Sequence, residues 1–292
     1  MLVDELPYKN AMRSITEQRQ AYRQQLAEIP PVSGDNGVDA EVHMLCGTGV
    51  ADMGMWASWS LMRFIPAGTF VLHSDGSLTE SDVELWRRLI PNLTYVSKEE
   101  RDQTCRERIE DNYPALAKWR RENPYSSKAI DVHFYGKRPR MIVLDSDVLC
   151  FSMPSELLRN LADPDVTFSW NEDERTAYTV ELDALERMFG HSVPELFNTG
   201  VLVTKRFGEK DLALMDEIIQ KCVAAGISTS GWFEQMLTAV IAGKTGNGLP
   251  LGPGYRVVPG RTKESAVMRH YTGVKRIRFR FFKEGIPRLL QG

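Results

Sequence analysis

Two carboxylates stand two positions apart in the stretch RMIVLDSDVLCF, residues 140–151, at the end of an unbroken apolar run from Met141 to Leu144. On an extended strand, residues i and i+2 project to one face. A strand continued through Val148 would therefore turn Asp145 and Asp147 together and Ser146 away. Two like charges held together cost free energy unless a cation neutralises them, and a hard divalent ion, Mn2+ or Mg2+, accepts oxygen ligands of this kind. At the carboxyl end of a parallel strand, where open α/β sheets bind ligands, such an ion would carry substrate phosphates. The spacing alone suits equally well a pair of polar residues that end a strand and begin a turn.

Near the other end stands RHYTGVK, residues 269–275. His270 can offer an imidazole to the same ion, Gly273 lets a backbone N–H approach a phosphate closely, and Lys275 can pair with that phosphate as a point charge. A lone His beside a Tyr is also a common structural residue. A phosphohydrolase with an aspartate nucleophile is an alternative for the D-x-D. It normally wants Thr or Val two places after the second Asp and lies near the start of its domain, whereas here Leu149 takes that place and the motif is mid-chain.

Taken with FNTGVLV at 197–203 and WFEQML at 232–237, the ordered set resembles the glycogenin-like and bacterial lipopolysaccharide galactosyltransferase family, retaining glycosyltransferases of the GT-A fold. In that family a strand ends in D-x-D, an N-(S/T/A)-G precedes an apolar strand, a D-Q pair opens a helix, and a late H-x-x-G-x-K closes the site. The likeness spans about residues 41–276. It implies a metal-dependent transfer of a sugar from a nucleotide diphosphate, a UDP-sugar being the favoured donor, with retention of anomeric configuration. It further implies metal ligation by Asp145, Asp147 and His270, a diphosphate held by Gly273 and Lys275, and Asn198, Glu234 and Gln235 at the donor sugar or reacting centre. The turn Gly47, Thr48, Gly49 would hold the nucleoside, with Asp75 and Ser146 as further donor contacts. Lys128, in YSSKAID, stands where the family usually has an Arg. Glu234 replaces the usual Asp, and the ending after Lys275 departs from the family, so neither the acceptor (glycan, protein or lipid-linked) nor the exact donor transfers. A catalytically silent nucleotide-sugar-binding protein is the alternative within the same pocket.

The elements that must position these residues read as strands alternating with helices. EVHMLC, TFVLH, LTYVS and RMIVL are strands, as are VTFSW and GVLVTKR further on. Between them lie MWASWSLMRF, a helix after Thr79 that Asp82 caps at capping-box spacing, and a long charged helical region reaching about Asn123. EKDLALMDEIIQKCVAAG and WFEQMLTAVIAGK are later helices. The pattern predicts an α/β fold with a mixed, mainly parallel sheet flanked by helices. An N-terminal helix and linker (1–39) precede the transferase domain (40–276), and a basic tail (277–292) follows.

With 42% hydrophobic and 26% charged residues, the 292-residue chain reads as globular. Its net charge of −3 is uneven, since residues 256–292 carry ten Lys or Arg against two Glu. That suits an anionic ligand, an acidic membrane surface or a merely solvated face. From Val274 onward basic and apolar residues alternate, as in an edge strand, a face on anionic lipid, or a tail packed on the domain. Four scattered cysteines without C-x-x-C spacing predict reduced thiols. No signal core or spanning segment is evident, so a cytoplasmic protein, at most peripheral to a membrane, is expected, with no nucleic-acid partner. GTGVAD fails the dinucleotide fingerprint at Asp52, AGKTG fails the phosphate loop at Thr238, and Trp56, Trp59 and Trp86 at helical spacing read as core.

Overall fold

The computed structural model describes residues 5–34, 37–272 and 279–291. In chain order, α1 (Glu5–Glu28) leads to β1 (Glu41–Cys46), α2 (Ala51–Met62), β2 (Thr69–Ser74), α3 (Glu80–Leu89) and β3 (Leu93–Val96). Three helices follow, α4 (Lys98–Ile109), α5 (Pro114–Glu122) and α6 (Ser126–Ile130), before β4 (Arg140–Leu144) and β5 (Val148–Cys150). Then come α7 (Ser155–Ala162), β6 (Phe168–Glu172), α8 (Leu182–Phe189), β7 (Phe197–Lys205), α9 (Glu209–Ala224), α10 (Phe233–Thr245), β8 (Leu249–Pro250), β9 (Met268–His270) and α11 (Ile286–Gln291).

Local chemistry sets several boundaries. Thr79 caps α3 reciprocally with Asp82, the hydroxyl accepting the Asp82 N–H and the carboxylate accepting the Thr79 N–H. The long charged region up to Asn123 is not one helix. Pro114 lacks an N–H and occupies the first turn of α5, so the chain breaks after α4 and restarts there.

Seven strands form one sheet in the order β3-β2-β1-β4-β7-β6-β8. The run from β3 to β4 is parallel, whereas β7 is antiparallel to both β4 and β6. After β3 the chain crosses back to lay β4 on the other side of β1. The strand order thus reverses between β1 and β4, and the crevice beyond their carboxyl ends is where such sheets take ligands. Along β4, Ile142 and Leu144 enter one core with Val42, Met44 and Trp56, while Met141 and Val143 enter the other with Trp170, Phe197 and Phe233. Burial on both faces explains why RMIVL is an apolar run without alternation.

α1 packs on this body: Leu26 is fully buried, and Arg19 and Arg23 pair with Asp52 and Asp82. At the other end, residues 279–291 are helical, so that of the readings open in the sequence the tail packed on the domain holds and the edge strand does not. Phe281, Phe282, Ile286 and Leu289 are buried in the first core, a helix-like spacing that the interleaved cations obscure in the sequence. The four cysteines are free and buried, as are Trp56 and Trp86. Among the described residues no helix is long and apolar enough to cross a membrane.

Candidate functional site

The strand does not continue through the acidic pair. β4 ends at Leu144, and the chain turns, with the Val148 N–H donating to the Asp145 carbonyl at 3.3 Å and the Asp145 N–H to the Gly200 carbonyl at 2.9 Å. The two aspartates converge because a turn folds them together, and Ser146 at its apex also lines the cleft rather than pointing away. The turn feeds β5, which pairs antiparallel with β9 in a two-stranded ribbon that sets Val148 opposite His270. This ribbon delivers the late histidine: Nε2 of His270 lies 3.0 Å from Asp147 Oδ1 and 3.6 Å from Asp145 Oδ2.

One ligand atom from each of Asp145, Asp147 and His270 lies within 4.8 Å of the other two. Two carboxylates and an imidazole on one small locus fit a hard divalent ion such as Mn2+ or Mg2+. The imidazole is oriented for that task. Its Nδ1 sits 2.9 Å from Asn198 Oδ1, an acceptor, so Nδ1 carries the proton and Nε2 faces the carboxylates. Burial lowers the His270 pKa, but the adjacent Asp147 and Asp145 outweigh it and hold it above its ordinary value.

Asn198 is held on every side. Its Oδ1 also accepts the Gly200 N–H at 2.9 Å, and its Nδ2 donates to Asp173 Oδ2 at 2.9 Å and Gln235 Oε1 at 3.3 Å, which fills the amide's capacity. Gly200 is required for a separate reason: a Cβ there would overlap the His270 ring. The ladder between β6 and β7 slips beside this point. Trp170 pairs with Leu202 but Asn171 with Asn198, and Asn171 Oδ1 takes the Val201 N–H instead. Such an irregularity re-aims side chains beside a site.

On the far side of the acids, Lys128 from α6 reaches Asp145 Oδ1 at 2.7 Å and Thr199 Oγ1 at 3.0 Å, with Glu234 Oε2 at 3.9 Å. Burial opposes the ammonium, yet Asp145 and Glu234 together raise its pKa. Glu234, at the start of α10, accepts the Thr199 hydroxyl at 3.0 Å. Burial pushes its pKa up, Lys128 works against that, and the Asp145 charge adds to it. Gln235 follows, donating Nε2 to the Ala177 carbonyl at 3.3 Å.

These side chains surround an open cleft of about 480 Å³ that runs from Leu45 at the end of β1 to Trp232 at the start of α10. It brings together Asp145, Ser146, Asp147, Lys128, Asn198, Glu234, Gln235 and His270. Gly47, Thr48, Gly49 and Asp75 do not line it. They form a turn of their own, where a Cβ on Gly47 would overlap the Asp75 carboxylate and the Thr48 hydroxyl donates to Asp82 at 3.2 Å. Gly273 and Lys275 lie outside the described residues. Sequence reasoning missed Thr199, Asp173, Tyr125 and Trp232. Thr199 stood in the quoted FNTG motif, but only its hydrogen bonds in the fold show that its hydroxyl joins Lys128 to Glu234.

No protein-family model matches the sequence, and neither does any curated protein. Solved structures do. The chain is similar to galactosyltransferase LgtC in complex with donor and acceptor sugar analogues, with TM-score 0.55, 12% identity, and coverage of 86% of this chain and 95% of that one. It is similar to mouse xyloside xylosyltransferase 1 in its apo form, with TM-score 0.52, 14% identity, and coverage of 82% and 99%. A third likeness, to the bifunctional glycosyltransferase WbbM, has TM-score 0.56 and 13% identity over 89% of this chain and 51% of that one. The chain has the GT-A glycosyltransferase fold, and the resemblance drawn from its motifs holds at that level.

Proposed function

We propose that this protein is a metal-dependent glycosyltransferase that moves a sugar from a nucleotide diphosphate, most simply a UDP-sugar, to an acceptor hydroxyl with retention. The observation that carries the reading is the convergence of Asp145, Asp147 and His270, from two distant parts of the chain, on the floor of a cleft at the switch point of the sheet.

The reaction breaks the bond between the anomeric carbon and the diphosphate oxygen and forms one to the acceptor oxygen, while the acceptor's proton ends on the departing diphosphate. A divalent ion, when bound, offsets the charge that develops on that leaving group. Asp145, Asp147 and His270 would hold it, with Gly273 and Lys275 gripping the diphosphate as the family resemblance implies. Asn198 has no hydrogen-bonding capacity left for a sugar; it acts as a positioning residue that keeps His270 in the Nδ1–H form. Glu234 and Lys128 lie side by side in the wall of the cleft, 3.9 Å apart and joined through the Thr199 hydroxyl, and they are the polar pair available to the donor sugar near the anomeric carbon. Among the described residues no free general base stands beside them, which suits a same-face route in which the leaving phosphate takes the proton. The GT-A fold favours this chemistry over a D-x-D phosphohydrolase.

A panel of nucleotide sugars incubated with Mn2+ tests the proposal. Slow hydrolysis of one of them, dependent on the ion, is expected. Nucleotide diphosphate binding without any hydrolysis or transfer would instead mark a silent sensor, and release of phosphate from an aryl phosphate would point to the hydrolase.

A further inference from the structure

Two of the large hydrophobic side chains that stay exposed, Tyr125 (62%) and Trp232 (53%), line the cleft, whereas Met153, Val223, Leu249 and Leu290 do not. Aromatic faces left in water beside a polar site are better explained by a ligand than by the fold.

Their mounting supports this. Tyr125 directly precedes α6, which carries Lys128, and Trp232 directly precedes α10, which begins with Phe233, Glu234 and Gln235. The Tyr125 N–H donates to Asn123 Oδ1 at 2.9 Å, and Asn123 Nδ2 donates to the Thr229 carbonyl at 2.6 Å. Trp119 Nε1 donates to the same carbonyl at 3.0 Å and meets Phe233 edge-on at 5.4 Å. Gly231, at φ +62°, lets the backbone turn into α10. The Arg175 guanidinium lies 5.7 Å from the centre of the Trp232 ring and covers part of it. One brace thus holds the backbone that carries both rings beside the polar groups of the reacting end.

We propose that Tyr125 and Trp232 form the acceptor subsite and that the acceptor is a saccharide, seated with the C–H face of a pyranose ring against them. The inference rests on the glycosyltransferase reading. A pyranose has one weakly positive C–H face and a rim of hydroxyls, which matches aromatic faces beside the carboxylate, amide and ammonium of Glu234, Gln235 and Lys128. The cleft runs from Leu45 at the end of β1 to Trp232, and with the nucleoside at the Leu45 end this end remains for the acceptor.

Wild-type protein loaded with Mn2+ and UDP is titrated by calorimetry and tryptophan fluorescence with methyl glycosides and short oligosaccharides, then with hydroxyl-bearing peptides and a prenyl phosphate. A saccharide should bind and quench exposed tryptophan emission. Trp232→Ala and Tyr125→Ala should each weaken it by about tenfold, Trp232→Phe by no more than about threefold, and Trp232→Leu, of similar bulk, should behave like the alanine variant. Thermal melts confirm that the variants fold. Undiminished saccharide binding in folded Trp232→Ala, no saccharide binding by the wild type, or preferential binding of the peptides or the prenyl phosphate would each overturn the platform. Failure of the wild type to bind any nucleoside diphosphate with Mn2+ would instead sink the transferase reading beneath it.

Discussion

Acidification should destabilise this protein steeply between pH 7 and 5.5, through histidines that have nothing to do with the cleft. Of five histidines four are buried, His43, His73 and His133 away from the cleft and His270 within it. Nδ1 of His43 lies 2.9 Å from His73 Nε2, and Nε2 of His43 lies 2.9 Å from Glu41 Oε1, which Arg206 also binds. His73 Nδ1 has no hydrogen-bond partner among the described residues. His133 stacks on Phe207 at 3.7 Å and accepts the Phe207 N–H. For the three away from the cleft, burial drives the pKa values down, and neighbouring basic groups push further: His43, Arg101 and Arg206 around His73, and His43, Arg206 and Lys205 around His133. Only His43 has a carboxylate, Glu41, opposing the shift. Each folded pKa lies below the unfolded value of about 6.5, so the stability is complete above that pH and is lost as pH falls below it, where only the unfolded chain takes up the proton. A histidine held neutral throughout contributes a loss of roughly 1.3 kcal/mol from pH 7 to 5.5. His73 and His133 then account for about 2.5 kcal/mol; His43, whose shift Glu41 opposes, adds to this, while His270, whose pKa is raised, offsets part of it because its contribution to stability grows as pH falls to 5.5. The net loss is a sizeable part of a typical 5–15 kcal/mol. Glu41, held down to about 2 by His43, the Lys137 N–H and Arg206 despite burial, stays ionised in this window and does not offset the loss. Urea unfolding followed by circular dichroism in metal-free buffer measures it, with the slope of stability against pH near 5.5 reporting about two to three protons taken up. Equal stability at the two pH values, or an uptake under one proton, would refute the reasoning.

Two further perturbations probe the site itself. Gly200→Ala places a methyl group where the His270 ring lies, so Mn2+ affinity by calorimetry should fall roughly 10–100-fold, as when a support of a metal-ligating histidine is lost; unchanged affinity would mean that the imidazole is not a ligand. Asp147→Ala should abolish Mn2+-dependent turnover while shifting the melting temperature by less than about 5 °C, because its carboxylate serves the cleft and not the core. Undiminished activity in that variant would remove Asp147 from the assignment.

The central strands were legible because their periodicity is local. EVHMLC, TFVLH and RMIVL coincide with β1, β2 and β4 to within a residue, and the Thr79–Asp82 cap marks the start of α3. The three-residue strands β5 and β9 were not legible, since VLC and MRH carry too few residues to show any period, yet they bring His270 to the acids. The end of the chain left its form open for a related reason. Cations interleaved with Phe281, Phe282 and Ile286 imitate alternation, and the helical face appears only once those side chains have a core to enter.

The same division runs through the site. Asp145 and Asp147 are conspicuous because β4 is buried on both faces, which makes any polar residue at its end an abrupt change; that burial comes from lying where the strand order reverses, which is also what puts the pair at a ligand crevice. Visibility and position thus share one cause. Asp173, Thr199, Tyr125 and Trp232 lack it. Each sits on a loop or an irregular strand edge, and each has a contact with a distant segment: Asp173 with Asn198, Thr199 with Lys128 and Glu234, Tyr125 through Asn123 to Thr229, and Trp232 with Arg175. Residues that hold a charge at a strand end announce themselves in sequence, whereas residues that shape the cleft around it are defined by their partners and emerge only with the fold.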